Sequence, residues 1–435
     1  MYKIIRSLIY SFIRVFLNVS LSFSYRNIIV TGYEKVKKRK PVLFVSNHQN
    51  TFMDGLVLVK VAKNINPNIL VRADIFQSKW AAIALDIIRL IPIYRKKDKV
   101  GSVAQNSEIF KKCIDLFKEG KPILIFPEGN HDIKRFLRPI KKGAARLAFQ
   151  AEEENDFNLK LTAAPFGLEY ENHPQRWYDL HVHFAEPFLI DDYGELYNKN
   201  PLEAQSQFTN RIREEISAEM VDIKWKEEYE FMEDVRQLIK PYAVDWAKNK
   251  KSIVHAETEV INHIAGQLKE DEPKTNSLKE KLSAYFRDVQ KAGLSYDYNI
   301  KKIGLFQSII KSIGVVIGAP FWLLAKLINF IPEYIIERKV IDNVKDITWH
   351  ISLRAGISIF LYPIFYLIIF LILGFSIDWL IAGIAVFSLP LISVVMYETE
   401  YHFKRLKSAF ILSKNKSLNQ QESELVNEFK KLALG

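Results

Sequence analysis

Two stretches near the C-terminus carry no charge: Ala355 to Ile377 over 23 positions and Trp379 to Tyr397 over 19. Each is close to the ~20 residues a helix needs to cross a bilayer core. Only Ser376-Ile377-Asp378 separates their cores, with Gly374 just before, so the pair reads as a tight transmembrane hairpin spanning 355–397. Pro363 and Pro390 lie inside it, and membrane helices tolerate proline. The outer flanks are basic (Arg338, Lys339, Lys345 and Arg354; then Lys404, Arg405 and Lys407), whereas the turn carries only Asp378. That asymmetry places both open ends, and the domain preceding them, on the cytoplasmic side of the membrane. Ser312 to Ala325 is apolar over only 14 residues between Lys311 and Lys326. That length predicts a re-entrant or interfacial segment rather than a span.

The N-terminal residues 1–26 hold Ile5, Leu8, Ile9, Phe12, Val15 and Phe16 at helical spacing, interrupted by Arg6 and Arg14. No small-x-small cleavage pattern follows closely, so the expectation is an interfacial amphipathic helix with Lys3, Arg6 and Arg14 turned to anionic headgroups. The formal net charge of +11 also calls for an anionic partner. Anionic membrane lipid and phosphate-bearing substrates fit. Nucleic acid is not expected, because there is no zinc-ligand spacing and no RNA-recognition signature. The one cysteine, Cys113, excludes a disulfide within the chain and is expected in the core of an amphipathic helix.

Apolar strand-like runs occur at Ile28–Thr31, Val42–Val45, Ile69–Arg72, Ile123–Phe126, Leu161–Phe166 and Leu180–Phe184, with helix-like pieces such as Val103–Phe117 between them. The alternation predicts an α/β fold: a mixed, mostly parallel sheet flanked by helices. This catalytic domain is expected over residues 27–200. A charged helical arm follows over 201–302, then a membrane region over 303–412 and an amphipathic tail over 413–435.

Val42 to Gly55 reads VLFVSNHQNTFMDG, and Ile123 to Asn130 reads ILIFPEGN. In each, a buried strand runs abruptly into a polar turn, which delivers His48, Asp54 and Glu128 to strand C-terminal ends. On one continuous helix, positions six apart differ by about 240°. His48 and Asp54 therefore meet only if a turn separates them, and Gln49-Asn50-Thr51 is turn-like, with helix resuming near Phe52. A histidine oriented by a carboxylate is a general base for deprotonating a hydroxyl. No G-x-S-x-G elbow is present to supply a nucleophile of the enzyme's own.

The two blocks resemble the glycerolipid acyltransferase superfamily, whose members carry a His-x4-Asp block and a Phe-Pro-Glu-Gly block. The five-residue spacer here resembles most the fungal-type glycerol-3-phosphate/dihydroxyacetone-phosphate acyltransferases. The resemblance implies acyl transfer from acyl-CoA or acyl carrier protein to a phosphorylated glycerol acceptor, with no metal and no cofactor. It implies His48 as base and Asp54 as its orienter, with Asn47 before the histidine. Arg95, in IRLIPIYRKKD, stands for the family's phosphate-binding arginine, with Arg89 and Lys96 as alternatives. Glu128 is implied to bond a glycerol hydroxyl, and Gly129 to let backbone N–H groups reach phosphate. The family continues its second block with Thr-Arg, where this chain has Asn130-His131-Asp132. Lys134 or Arg135 is expected to compensate, and His131-Asp132 to serve the local turn. Pro165, in LTAAPFGLEY, is expected to shape the acyl pocket or to pack a strand end. His181 and His183 alternate on one strand with no third ligand nearby, which predicts exposed histidines rather than a metal site. The preferred acceptor is glycerol 3-phosphate. The alternatives are a lysolipid such as lysophosphatidate, or a non-catalytic membrane scaffold, against which the joint presence of His48, Asp54, Glu128 and Gly129 speaks.

Overall fold

The computed structural model describes residues 2–63, 65–76, 78–94, 106–248, 250–294 and 305–435. The chain divides into two compact units, one of residues 1–220 with 344–359 and one of residues 221–343 with 360–435.

The first unit is built on an eight-stranded sheet. After helix α1 (Tyr2–Ser24) come β1 (Tyr25–Thr31), β2 (Val42–Ser46), α2 (Thr51–Val61), β3 (Asn68–Arg72), α3 (Lys79–Ile87) and β4 (Leu90–Ile93). Then follow α4 (Asn106–Lys118), β5 (Ile123–Ile125), α5 (Gly143–Glu153), β6 (Thr162–Tyr170), β7 (Tyr178–Phe184), β8 (Phe188–Leu189), α6 (Gly194–Lys199) and α7 (Pro201–Ala218). The strand order is β1-β7-β6-β2-β5-β3-β4, with β8 also on β6. Only β6·β7 and β6·β8 are antiparallel. The mostly parallel, mixed sheet is the one expected. All six expected strands are present.

Period-2 alternation sends successive residues of the central strands to opposite faces. Leu43, Val45, Ile123, Ile125 and Ala163 pack beneath α4, α5 and α7, with Cys113, Phe117, Phe149 and Phe208. Val42, Phe44, Leu124 and Ala164 pack on the other face, with Leu21 of α1 and Met53 and Val57 of α2. Burial pushes the Cys113 thiol up to about 12, so it is inert core, as expected. Helix α7, which the sequence reading assigns to the arm, packs on the sheet: Ala204, Phe208, Ile212 and Ile216 join its core.

Two residues singled out in the sequence are placed by the sheet. Pro165 lies inside the sheet, fully buried opposite Val45 of β2. A proline lacks a ladder donor, and this one falls where β6 changes partner, between the Thr162–Ala163 pairing with β8 and the Phe166–Tyr170 pairing with β7. It is a strand-packing residue. His183 is buried rather than exposed, with Thr31 Oγ1 within 2.5 Å of its Nδ1. No metal-holding cluster occurs among the described residues.

Helix α1 exposes an apolar stripe of Leu8, Phe12, Val15 and Val19. Its arginines are not left to headgroups. Arg6 pairs with Asp86 at 3.3 Å. Arg14 donates to the carbonyls of Val59, Ala62 and Lys63 at 2.9–3.0 Å, capping the C-terminus of α2.

The second unit holds α8 (Tyr229–Ile239), α9 (Ala243–Trp246), α10 (Ile253–Lys269), α11 (Glu272–Lys291), α12 (Leu305–Ile328), α13 (Phe330–Tyr334) and α16 (Lys416–Leu434). It also takes in α15 (Trp379–Lys414) and most of α14 (His350–Ser376). The expected turn joins α14 to α15: Asp378 accepts from the N–H groups of Leu380 and Ile381 at 2.8 and 3.1 Å. Among the described residues, three helices are long and apolar enough to cross a membrane: Phe306–Ile328, Ile347–Ser376 and Trp379–Lys414. The first exceeds the 14 residues marked by its lysines because the helix runs on past Lys311 and Lys326.

Candidate active site

Strand β2 ends at Ser46, and the chain turns through residues 47–50 before α2 begins at Thr51. The turn is sharp. Thr51 is β-branched yet sits at φ 40°, a strained conformation for such a residue. Its Oγ1 donates to the carbonyl of Thr348 at 3.1 Å and meets Ser352 Oγ at 2.9 Å. Asn47 holds the other side: its amide exchanges two hydrogen bonds, at 2.8 and 2.9 Å, with the backbone of Leu168. Asn47 thus braces the turn rather than facing a ligand.

This geometry brings His48 Nδ1 to 2.7 Å from Asp54 Oδ2. Asp54 is fully buried. A buried carboxylate is costly unless satisfied, and this one is: Oδ2 also accepts the N–H groups of Gln49 and Asn50, both at 2.8 Å, and Oδ1 accepts the Tyr170 hydroxyl. With a carboxylate on Nδ1, that nitrogen carries the proton and Nε2 is the basic one. Nε2 has no hydrogen-bond partner among the described residues, and the side chain stays 17% exposed. The ring stacks on Phe126 at 4.2 Å, which fixes its plane.

Glu128 is buried, and both its oxygens are used inside the protein. Oε1 accepts the backbone N–H of His48 at 2.7 Å. Oε2 accepts from Arg138, at 3.0 Å from its backbone N–H and 2.7 Å from Nε. Arg138 in turn donates from Nη2 to the carbonyl of His48 at 2.6 Å, and its buried Nη1 has no hydrogen-bond partner among the described residues. Glu128 therefore locks the histidine loop to the second motif through the backbone of His48 and through Arg138. Gly129 sits at φ 65°, a left-handed conformation that favours glycine, with the end of the flexible Lys141 side chain beside it. Arg135 is buried against Glu169, at 2.5 Å, and the carbonyl of Tyr170 at 2.6 Å. Its charge is committed within the domain, so it does not replace the missing arginine. The backbone N–H of Lys134 donates to Asp132 Oδ1 at 3.2 Å in the same turn. Arg95 and Lys96 lie outside the described residues, and Arg89 stacks on Tyr10 at 4.8 Å.

His131, expected only to serve the local turn, and the distant residues 346–352, not singled out in the sequence, complete the site. His131 lies edge-on to His48, 5.5 Å between ring centres, and its Nε2 is 3.8 Å from Asp346 Oδ2. Burial, then the neighbouring His48, holds the His131 pKa below its usual value. Trp349 packs on Phe52 at 5.4 Å and on His131 at 6.4 Å. Residues 346–352 thus form a strap over the turn, more than 290 positions away in sequence, where no local pattern signals it.

A mostly parallel sheet thus presents a histidine, with a buried carboxylate on its Nδ1, at its strand C-terminal ends. Residues 27–168 match the Acyltransferase family model. It is similar to glycerol-3-phosphate O-acyltransferase 2 of Saccharomyces cerevisiae, 30% identical over 115 residues, covering 26% of this chain and 15% of that one. It is 28% identical over 137 residues to a 1-acyl-sn-glycerol-3-phosphate acyltransferase of Borreliella burgdorferi, covering 32% and 52%. A chloroplastic 1-acyl-sn-glycerol-3-phosphate acyltransferase of Brassica napus is 28% identical over 108 residues, covering 25% and 29%. The chain thus spans between 15% and 52% of the length of these relatives.

Proposed function

We propose that this protein is a membrane-bound O-acyltransferase that moves a fatty acyl group from a thioester, acyl-CoA or acyl carrier protein, to a phosphorylated glycerol. The observation that carries this is the His48–Asp54 pair at 2.7 Å with Nε2 unpartnered among the described residues. Nε2 takes the proton of the acceptor hydroxyl as its oxygen attacks the thioester carbonyl. The new C–O bond forms, the C–S bond breaks, and the proton passes from the imidazolium to the departing thiolate. Asp54 stabilises the imidazolium between these steps. Arg138, held by Glu128 and with Nη1 unpartnered among the described residues, and Arg95 supply guanidinium groups for the acceptor phosphate.

Glycerol 3-phosphate is the preferred acceptor, on the five-residue spacer between His48 and Asp54 and on the yeast relative. Lysophosphatidate is the second reading, favoured by the names of the bacterial and plant relatives. The protein sits in the membrane through its apolar helices, with the sheet domain on the cytoplasmic side. An acceptor panel with a labelled acyl donor tests this. Labelled lysophosphatidate from glycerol 3-phosphate supports the first reading, labelled phosphatidate from lysophosphatidate supports the second, and no product from either acceptor with either donor sinks both.

A further inference from the structure

We infer that α12 does not cross the membrane: it enters and leaves the bilayer by the same face, with its exposed apolar stripe against that leaflet. The parity of the chain carries this. Residues 1–220 belong to the sheet unit. Among the described residues, no helix between there and Leu294 is apolar and long enough to cross. The chain then returns to the sheet unit at Val344. Thr348 and Ser352 hold Thr51, Ser20 donates to the carbonyl of Ala355 at 2.9 Å, and Ile351 is in the sheet's core. Residues 220 and 344 therefore lie on one side of the membrane, and an even number of crossings joins them. Helix α12 is the single candidate between them among the described residues. In sequence, residues 295–304 include Asp297, Lys301 and Lys302 and are far shorter than the ~20 residues of a span. One crossing is odd, so α12 makes none.

A second observation agrees. Helix α15 has 36 residues, about 54 Å at 1.5 Å per residue, well beyond a ~30 Å core. Its uncharged part ends at Tyr397, and its charged part begins at Glu398. Helix α12 and the turn after it are fastened at that boundary. Gly318 packs on Thr399 with no room for a Cβ, Lys326 pairs with Glu400 at 3.3 Å, and Asn329 donates to Ser393 at 3.1 Å. The opposite face of α12 exposes Phe306, Ile310, Ile313, Ile317, Phe321, Leu324 and Leu327 at three- and four-residue spacing. A stripe of that length, continuous with a membrane hairpin, takes lipid as its partner.

Single cysteines at exposed Asp245, Asp342 and Ser376 test the topology in sealed vesicles with a membrane-impermeant maleimide. The unsubstituted chain, whose Cys113 is buried, sets the background. Asp342→Cys should be labelled from the same side as Asp245→Cys, and Ser376→Cys only from the other side. Labelling of Asp342→Cys together with Ser376→Cys would make α12 a span and overturn the inference. A fluorophore on Val316→Cys supplies the depth: it should be quenched more by shallow than by deep nitroxide lipids, and the reverse order would overturn it. Neither readout uses catalysis, so the outcome is separate from the acyltransferase reading.

Discussion

In the proposed mechanism His48 serves as the base with Asp54 on its other ring nitrogen, and four donors converge on the buried Asp54 carboxylate. Asp54→Asn frees the tautomer and turns an acceptor into a donor. Turnover should fall on the order of 10²–10⁴-fold while the KM for the acyl donor changes little; an unaltered kcat would remove Asp54 from the mechanism. Glu128 makes a sharper case, because two roles predict different kinetics. As the brace seen here, Glu128→Ala lowers kcat and the melting temperature together, with loss of charged hydrogen bonds worth about 1.5–3 kcal/mol each. As a ligand for the glycerol hydroxyl it would instead raise the acceptor's KM at unchanged stability. His131 gives a pH signature. Its folded pKa lies below the unfolded ~6.5, so between the two the unfolded chain binds the extra proton, and stability falls as pH drops through that window. His131→Gln should flatten that acid limb in thermal melts taken from pH 7.5 to 5. A limb as steep as the wild type's would assign it to other groups.

At the scale of elements, what was legible in the sequence was local. Strand β2, the turn after it and the helix carrying Asp54 follow from an apolar run, turn residues and a resumed helical pattern within fourteen positions, Val42 to Gly55. The alternation of Leu43 and Val45 against Val42 and Phe44 fixed which residues line each face of the sheet. What was not legible depends on pairings distant in sequence. Whether Arg135 faces a ligand or Glu169, and whether Glu128 holds substrate or Arg138, is set by how β6 and the 134–138 turn come together. Strap 346–352 carries no motif at all. Arg14 is the same lesson on α1: its spacing fits a headgroup-facing arginine, but the open carbonyls ending α2 claim it. Arg14→Ala should therefore destabilise the sheet domain by about 1–3 kcal/mol in chemical unfolding, by leaving buried carbonyls unpaired. An unchanged unfolding midpoint, with weaker vesicle binding, would restore the headgroup role.

For the whole molecule, the engaged arginines alter what holds α1 to a membrane. Its exposed Leu8, Phe12, Val15 and Val19 remain, so attachment there is apolar more than ionic. A chain lacking residues 360–397 should stay bound in high salt and leave in alkaline carbonate, whereas the full chain should resist both; release of the shortened chain by salt alone would point back to headgroup charge. The central claim is that a base on the sheet edge acylates a phosphorylated glycerol beside that membrane. The most direct test is acyl transfer by the full-length protein in lipid nanodiscs, wild type against His48→Ala, from labelled acyl-CoA and acyl carrier protein to glycerol 3-phosphate and lysophosphatidate. The account predicts product from the wild type and a loss on the order of 10²–10⁴-fold in the variant, at equal melting temperature. Wild-type turnover by His48→Ala, or no transfer by the wild type to either acceptor, would contradict it.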